Sequence, residues 1–212
     1  MLAILVSNAK GGCGKTTLAT TLASAYAVGG FKVALADADP QQSALAWCER
    51  RPADKPRVRA LDWGKRIAKV PKGTDRLIID APAAIGVARF KTLLKMADAV
   101  LLPVLPSAFD RGATGRFISH IESVKPIRKN RKPLGVVANM VRPGTRAGRR
   151  LMAFLDDLDY PPVATLRART LYPELAEDGL GLFDRGDKAA KILQTEWTPL
   201  VTFIETLGAD LS

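Results

Sequence analysis

Histidine is nearly absent from these 212 residues: only His120 is present. With no second histidine to join it, the sequence offers no basis for histidine-based zinc chemistry. The same scarcity argues against a Ser-His-Asp mechanism. Cysteine is scarce too. Cys13 and Cys48 are too few for a disulfide framework and lack metal-ligand spacing, so nothing calls for an oxidising compartment. The longest apolar run, Ala99–Pro106, is eight residues long and holds two prolines. That is far below the ~18 residues of a membrane span. The start, MLAILVSNAKGG, has no basic leader and ends in a glycine-rich turn rather than a cleavage site. It reads as a strand, and the chain as one soluble, intracellular domain of ordinary size.

What the chain does have is alternation. Apolar runs stand at Leu2–Ser7, Lys32–Asp37, Leu77–Asp80, Ala99–Val104, Leu134–Asn139 and Val163–Leu166. They are continuous rather than alternating, as in strands buried on both faces of a parallel sheet. Helical spacing marks Lys15–Val28, closed by Gly29-Gly30, and the stretches 86–97, 110–124, 146–157 and 187–207. The expected fold is therefore α/β and doubly wound: a mostly parallel sheet with helices on both faces. Arg50–Thr74 is irregular and basic, and reads as a surface excursion with one extra strand near Arg57–Leu61.

Between the first strand and the first helix stands Ala-Lys-Gly-Gly-Cys-Gly-Lys-Thr-Thr, residues 9–17. This is the setting of a phosphate-binding loop. Gly11, Gly12 and Gly14 let backbone N–H groups turn inward, and the helix start adds its own free N–H groups. Lys15 is expected to reach the β- and γ-phosphates, and the Thr16 hydroxyl to bind Mg²⁺, with Thr17 beside it. The usual G-x-x-x-x-G-K-[ST] pattern fails at Ala9; a second lysine, Lys10, opens the loop instead. Cys13 reads as a small filler within the loop. A lysine at the loop's start points away from its own γ-phosphate and is available to a partner's nucleotide. Asp37, Asp39 and Asp80 end two apolar strands, at the edge where open α/β sheets bind ligands.

These pieces, Lys10–Thr17, ALADADPQ over Ala34–Gln41 and LIIDAP over Leu77–Pro82, resemble the deviant Walker A ATPases, a family that includes ParA partition proteins and MinD. The resemblance implies a single P-loop ATPase domain over residues 1–212, hydrolysing ATP with Mg²⁺, slowly without a partner. It implies an ATP-sandwich homodimer in which Lys10 crosses to the partner's nucleotide. Asp39 falls on the residue that orients the hydrolytic water, Asp37 on metal and loop support, and Asp80 on the Walker B carboxylate. Asn139 matches a position that touches adenine, although an asparagine after a strand equally suits a turn. The loop Leu171–Glu174 is a candidate for the other wall of a base pocket.

Acid is missing where base is dense. From Ser123 to Leu155 there is no Asp or Glu, against nine Lys and Arg in a chain of net charge +11. That asymmetry points to a polyanion. The resemblance implies sequence-blind binding of duplex DNA by the ATP dimer. The candidate contacts are Arg149 and Arg150 on charge clustering, and Arg167, Arg169 and Lys188 on their place in the C-terminal half. Few aromatics stand among them, which disfavours stacking on single strands. The implied role is partition or positioning of a plasmid, chromosome origin or large protein assembly. An adaptor, a ParB-like or centromere-binding protein, would stimulate hydrolysis, and the location would be cytoplasmic and nucleoid-associated. Two other readings are a MinD-like membrane-positioning ATPase and a P-loop biosynthetic enzyme of the same superfamily. Against the first, Thr202–Ser212 holds no Lys or Arg for a basic membrane-binding helix. No membrane partner is therefore expected.

Overall fold

A computed structural model describes residues 1–83, 85–106, 115–119, 121, 127 and 132–209. The expected helix 110–124 is helical over 115–119; most of its remainder, with His120, lies outside the described residues. So do Lys125, Arg128, Lys129 and Arg131 of the basic stretch, and residues 210–212. The strands are β1 (Leu2–Val6), β2 (Val33–Asp37), β3 (Val58–Asp62), β4 (Arg76–Asp80), β5 (Ala99–Val104), β6 (Leu134–Val141) and β7 (Ala164–Arg167). The helices are α1 (Lys15–Val28), α2 (Ser43–Arg50), α3 (Val87–Met96), α4 (Arg146–Asp157), α5 (Leu171–Glu177), α6 (Lys188–Gln194) and α7 (Thr198–Ala209).

All seven strands pair in parallel in one sheet, ordered β3-β2-β4-β1-β5-β6-β7. Side chains alternate across the sheet and sort into two cores. Leu2, Ile4 and Val6 join Leu18, Leu22, Trp47, Trp197 and Ile204 on one face. Ala3 and Leu5 join Phe90, Leu93, Ile118, Leu151 and Leu155 on the other. Burial on both faces explains why the strands read as unbroken apolar runs. Each fully buried Leu or Ile contributes about 1.5–3 kcal/mol.

The last expected helix, 187–207, is divided. A 3₁₀ turn over Thr195–Trp197 separates α6 from α7. Pro199 has no N–H for the carbonyl of Thr195, so one continuous helix cannot be hydrogen-bonded through this point. Leu171–Glu174, expected as a loop, instead forms the first turn of α5. No helix among the described residues is long and apolar enough to cross a membrane.

The order of the strands sets the site. β1 lies between β4 and β5, where the chain's path across the sheet reverses, and ligands collect at the carboxyl ends beside such a point. Register then aligns the acids. Asp37 pairs with Asp80 on one side and Asp62 on the other, while Val6, which leads into the phosphate loop, pairs with Asp80.

Candidate functional site

The loop between β1 and α1 is built by two left-handed glycines, Gly12 (φ 71°) and Gly14 (φ 87°). Gly14 is the tighter position: a Cβ there would stand 2.4 Å from Asn139 Nδ2. Asn139 itself is buried at the end region of β6 and donates to the Cys13 carbonyl (2.8 Å), so it holds the loop from behind. The Cys13 thiol is buried and rests on the Lys10 carbonyl at 3.2 Å. Burial raises its pKa, as it does for Cys48, pushed up to about 12, so both remain protonated thiols near neutrality. Lys15 is buried and folds back to donate to the Lys10 carbonyl (3.0 Å). Lys10 is exposed at the mouth of the loop.

Beneath the loop, the Thr16 hydroxyl donates to Asp80 Oδ2 at 2.7 Å. Burial above all pushes the Asp80 pKa up to about 7, with Asp37 and Asp39 adding to the rise and Thr16 and Lys15 opposing it. Its second oxygen, Oδ1, is buried with no hydrogen-bond partner among the described residues. A buried carboxylate oxygen without a donor, next to a hydroxyl at the first turn of a P-loop helix, fits a hydrated divalent cation.

The other two acids sit differently. Asp37 Oδ2 accepts the N–H groups of Ala44 and Leu45 (2.8 and 3.0 Å), and Oδ1 accepts that of Asp39 (3.0 Å). Asp37 was expected at the metal. Its other expected part was loop support, and its carboxylate does hold the N-terminus of α2 and the loop carrying Asp39. Asp39 closes its own turn, with Oδ1 accepting from Gln41 N (2.9 Å).

Sequence reasoning missed what holds this turn. Gln42 has a left-handed backbone (φ 56°), and its amide reaches Asp62 Oδ2 (3.1 Å), whose other oxygen accepts from Gly64 N (2.9 Å). Arg89 of α3 brings one terminal nitrogen to the carbonyls of Ala38, Trp63 and Gly64 (3.1, 2.5 and 2.6 Å). Its partners are main-chain carbonyls, which every residue possesses, so no residue pattern could announce the contact.

Beside α1 lies a cavity of about 250 Å³ between Thr17, Asn139, Met140, Tyr172 and Pro173. Thus Asn139 and part of the Leu171–Glu174 segment do meet, one helical turn from the phosphate loop. Trp197 Nε1 donates to the Tyr172 hydroxyl (2.9 Å) and fixes that wall. Arg167 and Arg169, expected among DNA contacts, line the same cavity. Both turn to Glu196: Arg169 at 2.8 Å and Arg167 at 3.5 Å. Arg149, Arg150 and Lys188 are exposed and stand apart from this site on α4 and α6.

Known proteins share this fold. Residues 4–182 match the CobQ/CobB/MinD/ParA nucleotide binding domain family. The chain is 29% identical over 203 residues, covering 86% of it and 87% of the relative, to maintenance of carboxysome distribution protein A of Halothiobacillus neapolitanus. Among solved structures, the ATP complex of a Cyanothece McdA aspartate variant superposes with a TM-score of 0.73 at 16% identity, covering 94% of this chain and 96% of that one. A plasmid partition protein of Borrelia burgdorferi bound to AMPPNP superposes with a TM-score of 0.73, also at 16% identity, covering 95% and 98%.

Proposed function

The chain belongs to the CobQ/CobB/MinD/ParA nucleotide-binding family and is an ATPase of that kind, and from this premise we propose that it is a ParA-type positioning ATPase. ATP drives it into a dimer, the dimer binds duplex DNA without regard to sequence, and an adaptor on the cargo triggers hydrolysis and release. The cargo is a large protein assembly of the carboxysome kind. Kinship with a carboxysome distribution protein across 87% of that relative's length supports this choice over a plasmid.

The observation that carries the reading is the pairing of two lysines on one loop. Lys15 is buried against the Lys10 carbonyl, inside the loop, while Lys10 is exposed at its mouth. Lys15 serves the nucleotide bound by its own subunit, together with the N–H groups around Gly11, Gly12, Cys13 and Gly14. Lys10 meets the phosphates held by the second subunit. Thr16 and Asp80 would hold Mg²⁺, which would supply neutralising charge to the nucleotide's phosphates. Asp39 orients the attacking water, and Asp37 keeps the Asp39 loop on the start of α2. The base lies against Asn139, Tyr172 and Pro173.

Light scattering with ATP and with ADP tests the reading. The natural chain should be dimeric with ATP and monomeric with ADP. Lys10→Ala should leave ATP binding by the monomer near normal while weakening dimerisation and hydrolysis. A chain that stays monomeric with ATP and hydrolyses it at full rate would refute the sandwich dimer.

A further inference from the structure

A second basic region lies far from the nucleotide. Residues 50–75 carry nine Lys and Arg against three Asp, a surplus of six positive charges. Four cations from three separate stretches, Lys32, Arg57, Arg59 and Lys72, converge on a groove of about 210 Å³ completed by Val33, Gly73 and Thr74. All four are exposed. None makes a side-chain hydrogen bond or ion pair among the described residues, and no acid lines the groove. Asp75 is the nearest acid in sequence, and its Oδ2 is engaged by the Lys32 backbone N–H (2.8 Å). A larger depression alongside shares Arg57 and Arg59 and adds Lys55 and one acid, Glu49.

Charge on an edge strand such as β3 can serve only to deter strand pairing. That purpose needs no concavity, and it does not explain Lys32 before β2 or Lys72 before β4. An added peptide strand would run along the outer edge of β3, away from both lysines. The groove is lined by four cations, together with Val33, Gly73 and Thr74, and has no aromatic ring to hold a base or a side chain. Such a lining suits a phosphodiester backbone and is blind to sequence.

Place adds a consequence. Val33 and Val58 begin their strands, so the groove lies at the amino ends of β2 and β3. The phosphate loop, Asp39 and Asp80 lie at the carboxyl ends, about 13 Å away along a five-residue strand. We infer that this groove is a second DNA-backbone contact that works in every nucleotide state, whereas contact by the ATP dimer depends on assembly. The inference rests on the DNA reading above.

The test is the salt dependence of binding to two unrelated duplexes, measured by fluorescence anisotropy with ADP and with ATP. R57E/R59E should lower the slope of log affinity against log salt by about 2 in both states, since each phosphate contact contributes about 0.9. Its ATPase rate without DNA should match that of the natural chain, and R57K/R59K should restore the slope. An unchanged slope, or a loss seen only with ATP, overturns the groove while leaving the DNA reading in place. Unchanged duplex binding together with lost binding of a poly-glutamate probe assigns the groove to an acidic protein and likewise overturns it. Absence of duplex binding by the natural chain with ATP at low salt overturns both.

Discussion

Gly14 shows how a single backbone angle controls the site. At φ 87° it lies where an L side chain costs about 1–2 kcal/mol. An added Cβ would also press on Asn139 Nδ2, the donor that braces the loop from β6. Gly14→Ala should therefore lower ATP affinity at least tenfold, about 1.4 kcal/mol, in calorimetry; unchanged affinity would mean that loop shape does not govern binding. Asp39 separates binding from chemistry. Its contacts lie within its own turn and it holds no part of the phosphate loop. Asp39→Ala should keep nucleotide affinity, stop turnover and accumulate as the ATP dimer on a sizing column. Hydrolysis at the natural rate would pass the water-orienting role to another group. The contrast with Asp37 was not readable from ALADADPQ, where two aspartates stand at equivalent strand-end positions. It depends on where α2 begins, and therefore on which amides reach which carboxylate.

At the scale of elements, one buried ion pair ties the outer part of the sheet to the C-terminal segment. Both terminal nitrogens of Arg51, just after α2, meet the carboxylate of Asp184 in the 3₁₀ turn Leu182–Asp184, at 2.8 and 2.7 Å. Their side chains are 4% and 0% exposed. Arg51 also lies 5.1 Å from the ring centre of Trp47. Removing one partner strands a buried charge, so Asp184→Ala should cost about 3–5 kcal/mol in urea unfolding. Replacing both by apolar residues of similar size should cost less than the single change. A loss below 1 kcal/mol for Asp184→Ala would show that Arg51 escapes to water. Sequence separation hides this pair: the partners stand 133 positions apart, and no local pattern connects them. The helix Arg146–Asp157 was readable because its apolar spacing is local, whereas helical spacing runs on across 187–207 and masks the break that Pro199 makes between α6 and α7.

At the scale of the whole molecule, the charge is divided between surfaces. Arg142, Arg146, Arg149 and Arg150 are exposed on and before α4, at the carboxyl end of the sheet. The groove cations lie at the amino end. DNA binding is expected to be strong with ATP, weak with ADP and steeply salt-dependent, because a dimer doubles the α4 patch. With about six phosphates contacted, a fourfold rise in salt should cost on the order of 10³ in affinity. Charge reversal at Arg149 and Arg150 should weaken binding about equally for unrelated duplexes, measured by gel shift, and leave ATP hydrolysis without DNA unchanged. Reversal at Arg167 and Arg169 should instead disturb nucleotide binding, since both line the cavity beside α1 and pair with Glu196. A tenfold sequence preference would end the sequence-blind account.

The amino-acid sequence alone determined the phosphate loop, the α/β alternation and the acids at strand ends. Each of these is written in contiguous residues, where glycine placement, helical spacing and apolar runs act locally. Tertiary structure decided which of those residues meet. Register across β3, β2 and β4 brought Asp62, Asp37 and Asp80 into one row. Packing of α3 sent Arg89 to three carbonyls around the Asp39 loop. The turn before α7 placed Glu196 beside Arg167 and Arg169 and paired it with both. Strand order brought Lys32, Arg57, Arg59 and Lys72 around one groove. The physical reason is common to all four: a charged side chain's role depends on the groups around it, and in a crossed parallel sheet those neighbours arrive from distant parts of the chain.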